Sequence, residues 1–283
     1  SFYVGLWGGT ALIGGLGCLS LRSLRLPNLP LRLMAMTALL MVLFGVLAFG
    51  WAFHDETPLV GHMSISAQIL NDIYPPRLTS FPEVALRYHY GFNTFAASLS
   101  SLTGLDVAAG IDLATVLCVG LTGTLLWGIG ERAVGNGAGW LTALLGLLSA
   151  GLPMGLAHEE APIAFEMLGF SLFDGTMINP PLVSYVFQHP WSLGFPMGRM
   201  VVALLLRARH LDMRGGIALA ISLLVLSFTQ VVLFVCLLPT AMAVMAWTHK
   251  GQRFRALMVI AGLSVLLVFS SSFLGGMWTP RLD

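Results

Sequence analysis

Charge is what this 283-residue chain has least of: Asp, Glu, Lys and Arg together make up 10% of it, against about a quarter in an ordinary soluble domain. Hydrophobic residues account for 57%, and the mean hydropathy is +0.85. One soluble core cannot bury that much apolar surface, so a water-soluble globule is excluded and a polytopic membrane protein is expected. Cysteine is scarce as well. Cys18, Cys118 and Cys236 all fall inside apolar stretches, where they read as small packing residues and not as a disulfide framework. No basic segment precedes the apolar run Phe2 to Leu19, so it lacks the pattern of a cleavable signal. There is no internal repeat, and the acids lie mostly in the connections, which weighs against a transporter with a mid-membrane site. A net charge of +1 gives no reason to expect a nucleic acid partner.

The few charges that are present are sorted by position. Ten of the fourteen Lys and Arg fall in four short connections: Arg22, Arg25 and Arg32; Arg132; Arg207, Arg209 and Arg214; Lys250, Arg253 and Arg255. The positive-inside rule makes those connections cytoplasmic. Eight of the thirteen carboxylates, and His54, His62, His89, His158 and His189, lie in two long intervals on the other side, His54 to Gly91 and His158 to Trp191. The outer face is therefore the chemically equipped one.

Parity then constrains the spans. Phe2 to Leu19, which carries Gly5-x-x-x-Gly9, runs inward, and Leu33 to Phe53 returns outward at about the 20 residues a crossing needs. Tyr90 to Leu105 and Val107 to Ile129 cannot both cross, or every later basic connection would change side. The first is the weaker, being rich in Asn, Ser and Thr, and is expected to be interfacial or re-entrant. Ala138 to Leu156 goes out and Ser192 to Leu206 comes back. Gly215 to Trp247, 33 apolar residues with basic flanks at both ends, is then a tight hairpin of two short helices turning near Thr229-Gln230. Ala256 to Gly276 is the last span. The fold class expected is all-α, a polytopic transmembrane bundle of about seven or eight membrane helices with interfacial helices on the outer face. It forms one integral membrane domain over residues 1–283: an extra N-terminal span and turn (1–32), a core (33–247), and a last span (248–283) after which the chain reads as incomplete.

The candidate chemistry sits mainly in the first outer interval. Asp55 and Glu56 follow directly on an apolar run, where a pair of carboxylates meets both water and lipid head groups. They could serve as general base, as ligands of a divalent cation such as Mg or Mn, or as two solvated loop acids. His62 opens an amphipathic helix, His62 to Ile73, with Ile65, Ile69, Leu70 and Ile73 on one arc and Ser64, Gln68, Asn71 and Asp72 on the other. Tyr74-Pro75-Pro76 is expected to end it. Arg87, His89 and Tyr90 suit a phosphate or a sugar ring, or equally an aromatic belt. Glu159 lies in the second interval. Arg199 stands in mid-span, eight residues before Arg207, at a depth that demands a partner or a wet cavity; Asp112 is one candidate partner.

An apolar helix, an acidic pair, an amphipathic interfacial helix, the turn YPP, the aromatic stretch YHYGFNTFAASLSSLTGL and a helix ending in ERAVG together resemble the GT-C class of membrane glycosyltransferases. That class includes protein O-mannosyltransferases and aminoarabinose transferases. The resemblance covers about Leu33 to Trp247. It implies a polyprenyl-phosphate-linked sugar donor and Asp55 as base or metal ligand with Glu56 beside it. For such an enzyme, working at the outer face of a plasma (inner) membrane, Arg199, Arg87, His62, His89, Tyr90, Glu159 and Gln230 are the candidate substrate contacts. The chain departs from the class in its extra N-terminal span, in Gln230 where the hairpin tip could carry a basic residue, and in lacking a soluble C-terminal domain. A degenerate or truncated relative, or a non-catalytic subunit of a larger membrane complex, fits those departures. The topology itself is testable. Single cysteines at Ser80 and Ser171 should label from the periplasmic side, while Gly137 and Gly251 should not; labelling at Gly137 would show that Tyr90 to Leu105 crosses.

Overall fold

The computed structural model describes residues 31–50, 61–86, 90–135, 137–148, 189–211 and 213–248, together with residue 262. Among these the protein is almost wholly helical, with eight α-helices and one small hairpin. In chain order these are α1 (Leu31–Gly50), α2 (His62–Leu70), β1 (Arg77–Leu78), β2 (Phe81–Ala85), α3 (Gly91–Thr103), α4 (Val107–Ala133), α5 (Ala138–Leu148), α6 (His189–Leu205), a 3-10 turn at Ala208–His210, α7 (Met213–Thr229) and α8 (Val231–Thr248). The spans expected at Phe2 to Leu19 and Ala256 to Gly276 lie outside the described residues, apart from Gly262 in the second. So do Gly5-x-x-x-Gly9 and most of the His158 to Trp191 interval.

Helix α4 is the axis of the bundle. It starts where Asp106 accepts a hydrogen bond from the Ala109 amide at 2.8 Å, an N-cap that satisfies one of the orphan amides of the first turn. Its 27 residues rise about 40 Å, more than a bilayer core requires. Around it pack α1, α3, α5 and α6. The contact with α1 depends on missing side chains: a Cβ on Gly120 would meet the Met41 side chain at 2.7 Å, and one on Gly123 would meet Leu40 at 2.5 Å. A hydrogen bond between the Thr37 and Thr124 hydroxyls, 2.9 Å, joins the same two helices, the kind of small-residue and hydroxyl contact on which helix pairs in lipid rely.

The turn from α4 to α5 is held by one carboxylate. Glu131 Oε1 accepts from the Gly137 amide at 3.0 Å and from the Gly139 amide at 2.9 Å, so an acid at the end of one helix caps the start of the next. Two apolar clusters result. Leu40, Phe44, Val119, Leu126, Ala143 and Leu147 fill the space between α1, α4 and α5, with Phe195 of α6 against them. Val201, Leu219, Leu223, Leu226, Phe234, Ala241 and Met245 join α6, α7 and α8.

Between α7 and α8 the helix is interrupted at Gln230 alone. Helix α8 then returns to touch the 3-10 turn that follows α6, so the basic-flanked 33-residue run does fold back on itself. Helix α3, 13 residues and about 20 Å long, is too short to cross a bilayer core of about 30 Å. Only α4 and α8 are both long and apolar enough to cross a membrane over the described residues; α1 (as Leu31–Val46), α5, α6 and α7 count as shorter apolar helices. Leu39, Val42 and Val46 of α1 and Val232, Val235 and Trp247 of α8 are exposed, a large apolar surface of the kind that marks contact with a membrane or another protein.

Two local features differ from the sequence reading. The helix after His62 stops at Leu70, with Asn71 as its cap, because Asp72 adopts a left-handed φ of 64°; the chain has left the helix before Tyr74-Pro75-Pro76 can break it. Its polar arc does not face water throughout. Ser64 is buried, with its hydroxyl 3.0 Å from that of Thr79. The hairpin β1–β2 was not expected, since two and five residues are too few for a clear alternation of apolar and polar positions.

Packing of α4 on α5 carries a stability test. A side chain at Gly130 would collide with the Thr142 side chain and come within 3.0 Å of the Ala138 carbonyl, whereas one at Gly128 meets nothing within 4 Å. Gly130→Val should therefore lower the thermal midpoint of the detergent-solubilised protein, at a cost of about 1–3 kcal/mol. Gly128→Ala should be neutral or stabilise by up to about 1 kcal/mol. Equal midpoints for the two variants would contradict this packing.

Candidate functional site

At the end of the bundle where α4 begins, α2 packs on α3 and α3 packs on the first turns of α4, forming one layer. Phe92, Ala96, Ile111 and Ala114 are its apolar floor, with Leu193 of α6 against them. Helix α3 reaches α7 so closely that a Cβ on Gly91 would touch Thr229 and Phe228, and Gly194 of α6 has the Gln230 side chain directly against it. The first turns of α3 and α6 and the tip of the α7–α8 pair thus meet in one place.

Asn93 holds the layer together. It is fully buried, its amide donates to the His62 carbonyl at 2.9 Å and to Ser66 Oγ at 3.1 Å, and its carbonyl oxygen lies 3.2 Å from His62 Nδ1. A buried amide with all these partners fixes one orientation of α2 on α3, since each lost bond would leave a desolvated polar atom. On the far side of α2, Gln68 brackets Arg77: its Oε1 accepts from the Arg77 amide at 2.7 Å and its Nε2 donates to the Arg77 carbonyl at 3.0 Å. The guanidinium of Arg77 in turn donates to the Pro82 carbonyl at 3.0 Å. Helix α2 is pinned on both faces.

The structure distributes the expected site residues as follows. His62 is half-buried in the Asn93 network. Tyr90 is enclosed, 1% exposed, and meets Tyr74 edge to face with ring centroids 5.6 Å apart, so it supports the layer from within and presents no face to solvent. Burial pushes the Tyr74 phenol up from its usual range, an effect that the Tyr90 and Thr94 side chains partly offset. Gln230 is buried at the hairpin tip, its Oε1 3.4 Å from the Val232 amide. His62, Tyr90 and Gln230 accordingly belong to one layer.

Arg199 lies farther down α6, about 7.5 Å along the axis from Gly194. It is half-buried, and its guanidinium carbon sits 4.9 Å from the centre of the Phe195 ring, within the range of a cation–π contact. Phe195 stacks in turn on Trp191 at 5.1 Å. The charge is thus carried on an aromatic ladder at positions i, i+4 and i+8 of one helix face. Asp55, Glu56, Arg87, His89 and Glu159 lie outside the described residues. Among the described residues no three His, Cys, Asp or Glu side chains converge as a metal group.

Asn93 is the residue that the sequence reading passed over as merely polar. Its only signal was an amide set between two phenylalanines, Phe92 and Phe95. No family model matches the chain, and no curated protein or solved structure is detectably similar to it.

Asn93→Leu should expose the cost of this network. Removing the amide strands the His62 carbonyl and the Ser66 hydroxyl, a loss of about 1–3 kcal/mol, and α2 should become the first site of proteolysis. A variant as stable and as protease-resistant as the parent would show that Asn93 does not hold α2 on α3.

Proposed function

We propose that the chain is a multi-pass inner-membrane glycosyltransferase of the GT-C type, with about seven or eight membrane helices and its long polar intervals on the periplasmic side, acting on a polyprenyl-phosphate-linked sugar. The observation that supports this reading is the layer at one end of the bundle. There the short helix α2 packs on α3, a helix too short to cross, and α3 meets α4, α6 and the end of α7, with Asn93 joining α2 to α3. Such a layer offers polar groups at the membrane surface next to apolar helix faces, which is what a substrate with a polar head and a lipid tail requires. In this reading the acidic pair, whose Glu56 precedes His62 by six residues, serves that same end.

In this reading Asp55 takes the proton from an acceptor hydroxyl as that oxygen bonds to the anomeric carbon. The bond from that carbon to the phosphate oxygen breaks, and polyprenyl phosphate leaves with the electron pair. Arg199 and Arg87 hold the phosphate charge. His62, His89, Glu159 and Gln230 orient the sugar, with Tyr90 supporting the layer beneath it. Asp55 and Glu56 supply hard oxygen donors suited to Mg or Mn, and such an ion would add neutralisation of phosphate charge.

The slight burial of α8, 17% of its spanning window, favours a second reading. The exposed face would then be covered by another chain, and the protein would be a non-catalytic subunit of a membrane complex. Reconstitution in liposomes with polyprenyl-phosphate sugars separates the two. Asp55→Asn should lower transfer by about 10²-fold or more with an unchanged circular dichroism spectrum, and Glu56→Gln should be milder. Full turnover by Asp55→Asn would remove that residue from the chemistry. A wild-type chain inert toward every donor, isolated with a stoichiometric membrane partner, would establish the subunit reading.

A further inference from the structure

The end of the bundle opposite the Asn93 layer has a feature that sugar transfer does not use. Between α4 and α6 lies a cavity of about 220 Å³, smaller than the roughly 300–1,000 Å³ of sites that enclose a whole drug-sized ligand. Its lining is in step on the two helices. On α4 it runs down through Thr124, Gly128 and Arg132; on α6 and just beyond, through Met200, Ala203 and Arg207. These positions are spaced by three or four residues, so each set forms one stripe along its helix, descending about 10–12 Å to the arginines.

The groove exists because its middle is built from small residues. Gly128 is exposed, and a Cβ there would meet nothing within 4 Å. The Thr124 hydroxyl is already engaged, with Thr37 and with the Gly120 carbonyl, each at 2.9 Å, so the wall makes no polar demand on an occupant. Both arginines are exposed at the mouth. An apolar slot ending in two guanidinium groups matches a molecule with a hydrocarbon chain on one side and an anionic phosphate on the other.

We propose that this groove binds an anionic glycerophospholipid of the cytoplasmic leaflet, one acyl chain lying along Gly128 and Ala203 and the head-group phosphate bridging Arg132 and Arg207. Basic pockets between membrane helices on the cytoplasmic side bind anionic lipid head groups elsewhere for the same electrostatic reason. Arg132 stands 26 residues beyond Asp106 along α4, about 39 Å, so this groove is separate from the Asn93 layer that the proposed reaction uses. The inference requires that the chain lie in a membrane, but not that it transfer sugar; a chain inert toward every donor would still bind the lipid.

The test is lipid titration of the delipidated, detergent-solubilised full chain, followed by native mass spectrometry. Phosphatidylglycerol should bind at least ten-fold tighter than phosphatidylcholine of the same acyl composition, and millimolar inorganic phosphate should not displace it. Arg132→Gln with Arg207→Gln should reduce phosphatidylglycerol to the level of phosphatidylcholine. Gly128→Leu fills the slot without touching either charge and exchanges a poor helix former for a good one. It should weaken phosphatidylglycerol binding at least ten-fold with no loss of thermal midpoint, which keeps the proposal testable even if the double arginine variant does not fold. Equal affinity of the wild type for the two lipids, displacement by inorganic phosphate alone, or undiminished binding to Gly128→Leu would each overturn it.

Discussion

A helix in hydrocarbon gains little from hiding apolar side chains from its neighbours, because the lipid is as apolar as they are. Close approach and the pairing of polar atoms must hold such helices together, and α4 shows how this chain meets that constraint. Gly120 and Gly123 admit the side chains of α1, Gly130 admits Thr142 of α5, and Gly110 admits Ser100 of α3. The Thr37–Thr124 hydrogen bond supplies the polar link where glycine alone would leave only dispersion. With α4 surrounded in this way, the positions of α3 and α6 follow.

The two ends of α4 differ in chemistry, and that difference organises the functional proposals. Beside its N-terminal end Asn93 joins α3 to α2 through His62 and Ser66. A network satisfied in this manner is rigid, and rigidity is what a surface must have to orient a substrate that is itself mobile in the bilayer. Its C-terminal end gathers cations: Glu131 accepts from the amides of Gly137 and Gly139, and Arg132 faces the groove with Arg207. Both arginines also stand at helix C-termini, where the backbone dipole favours positive charge.

Much of this order could be read without coordinates. The arginine clusters and the count of apolar runs required a turn within Gly215 to Trp247, and the interruption at Gln230 stands there. The same counting required Tyr90 to Leu105 not to cross, and α3 has 13 residues. Hydrophobic length is a one-dimensional quantity, legible along a chain.

Composition and the spacing of charges by themselves determined a helical protein with apolar outward surfaces and a turn within its longest apolar run, because each depends on local propensity or on hydrophobic length. Only the tertiary structure decided that Ser64 and Ser66 point inward, that Glu131 is a cap and not a free acid, that Tyr90 is enclosed, and that Arg199 rests on Phe195. It alone placed Arg132 and Arg207, 75 positions apart in sequence, at one groove. The physical reason is that a polar side chain takes its role from its partner, and partners distant in sequence are chosen by how helices dock.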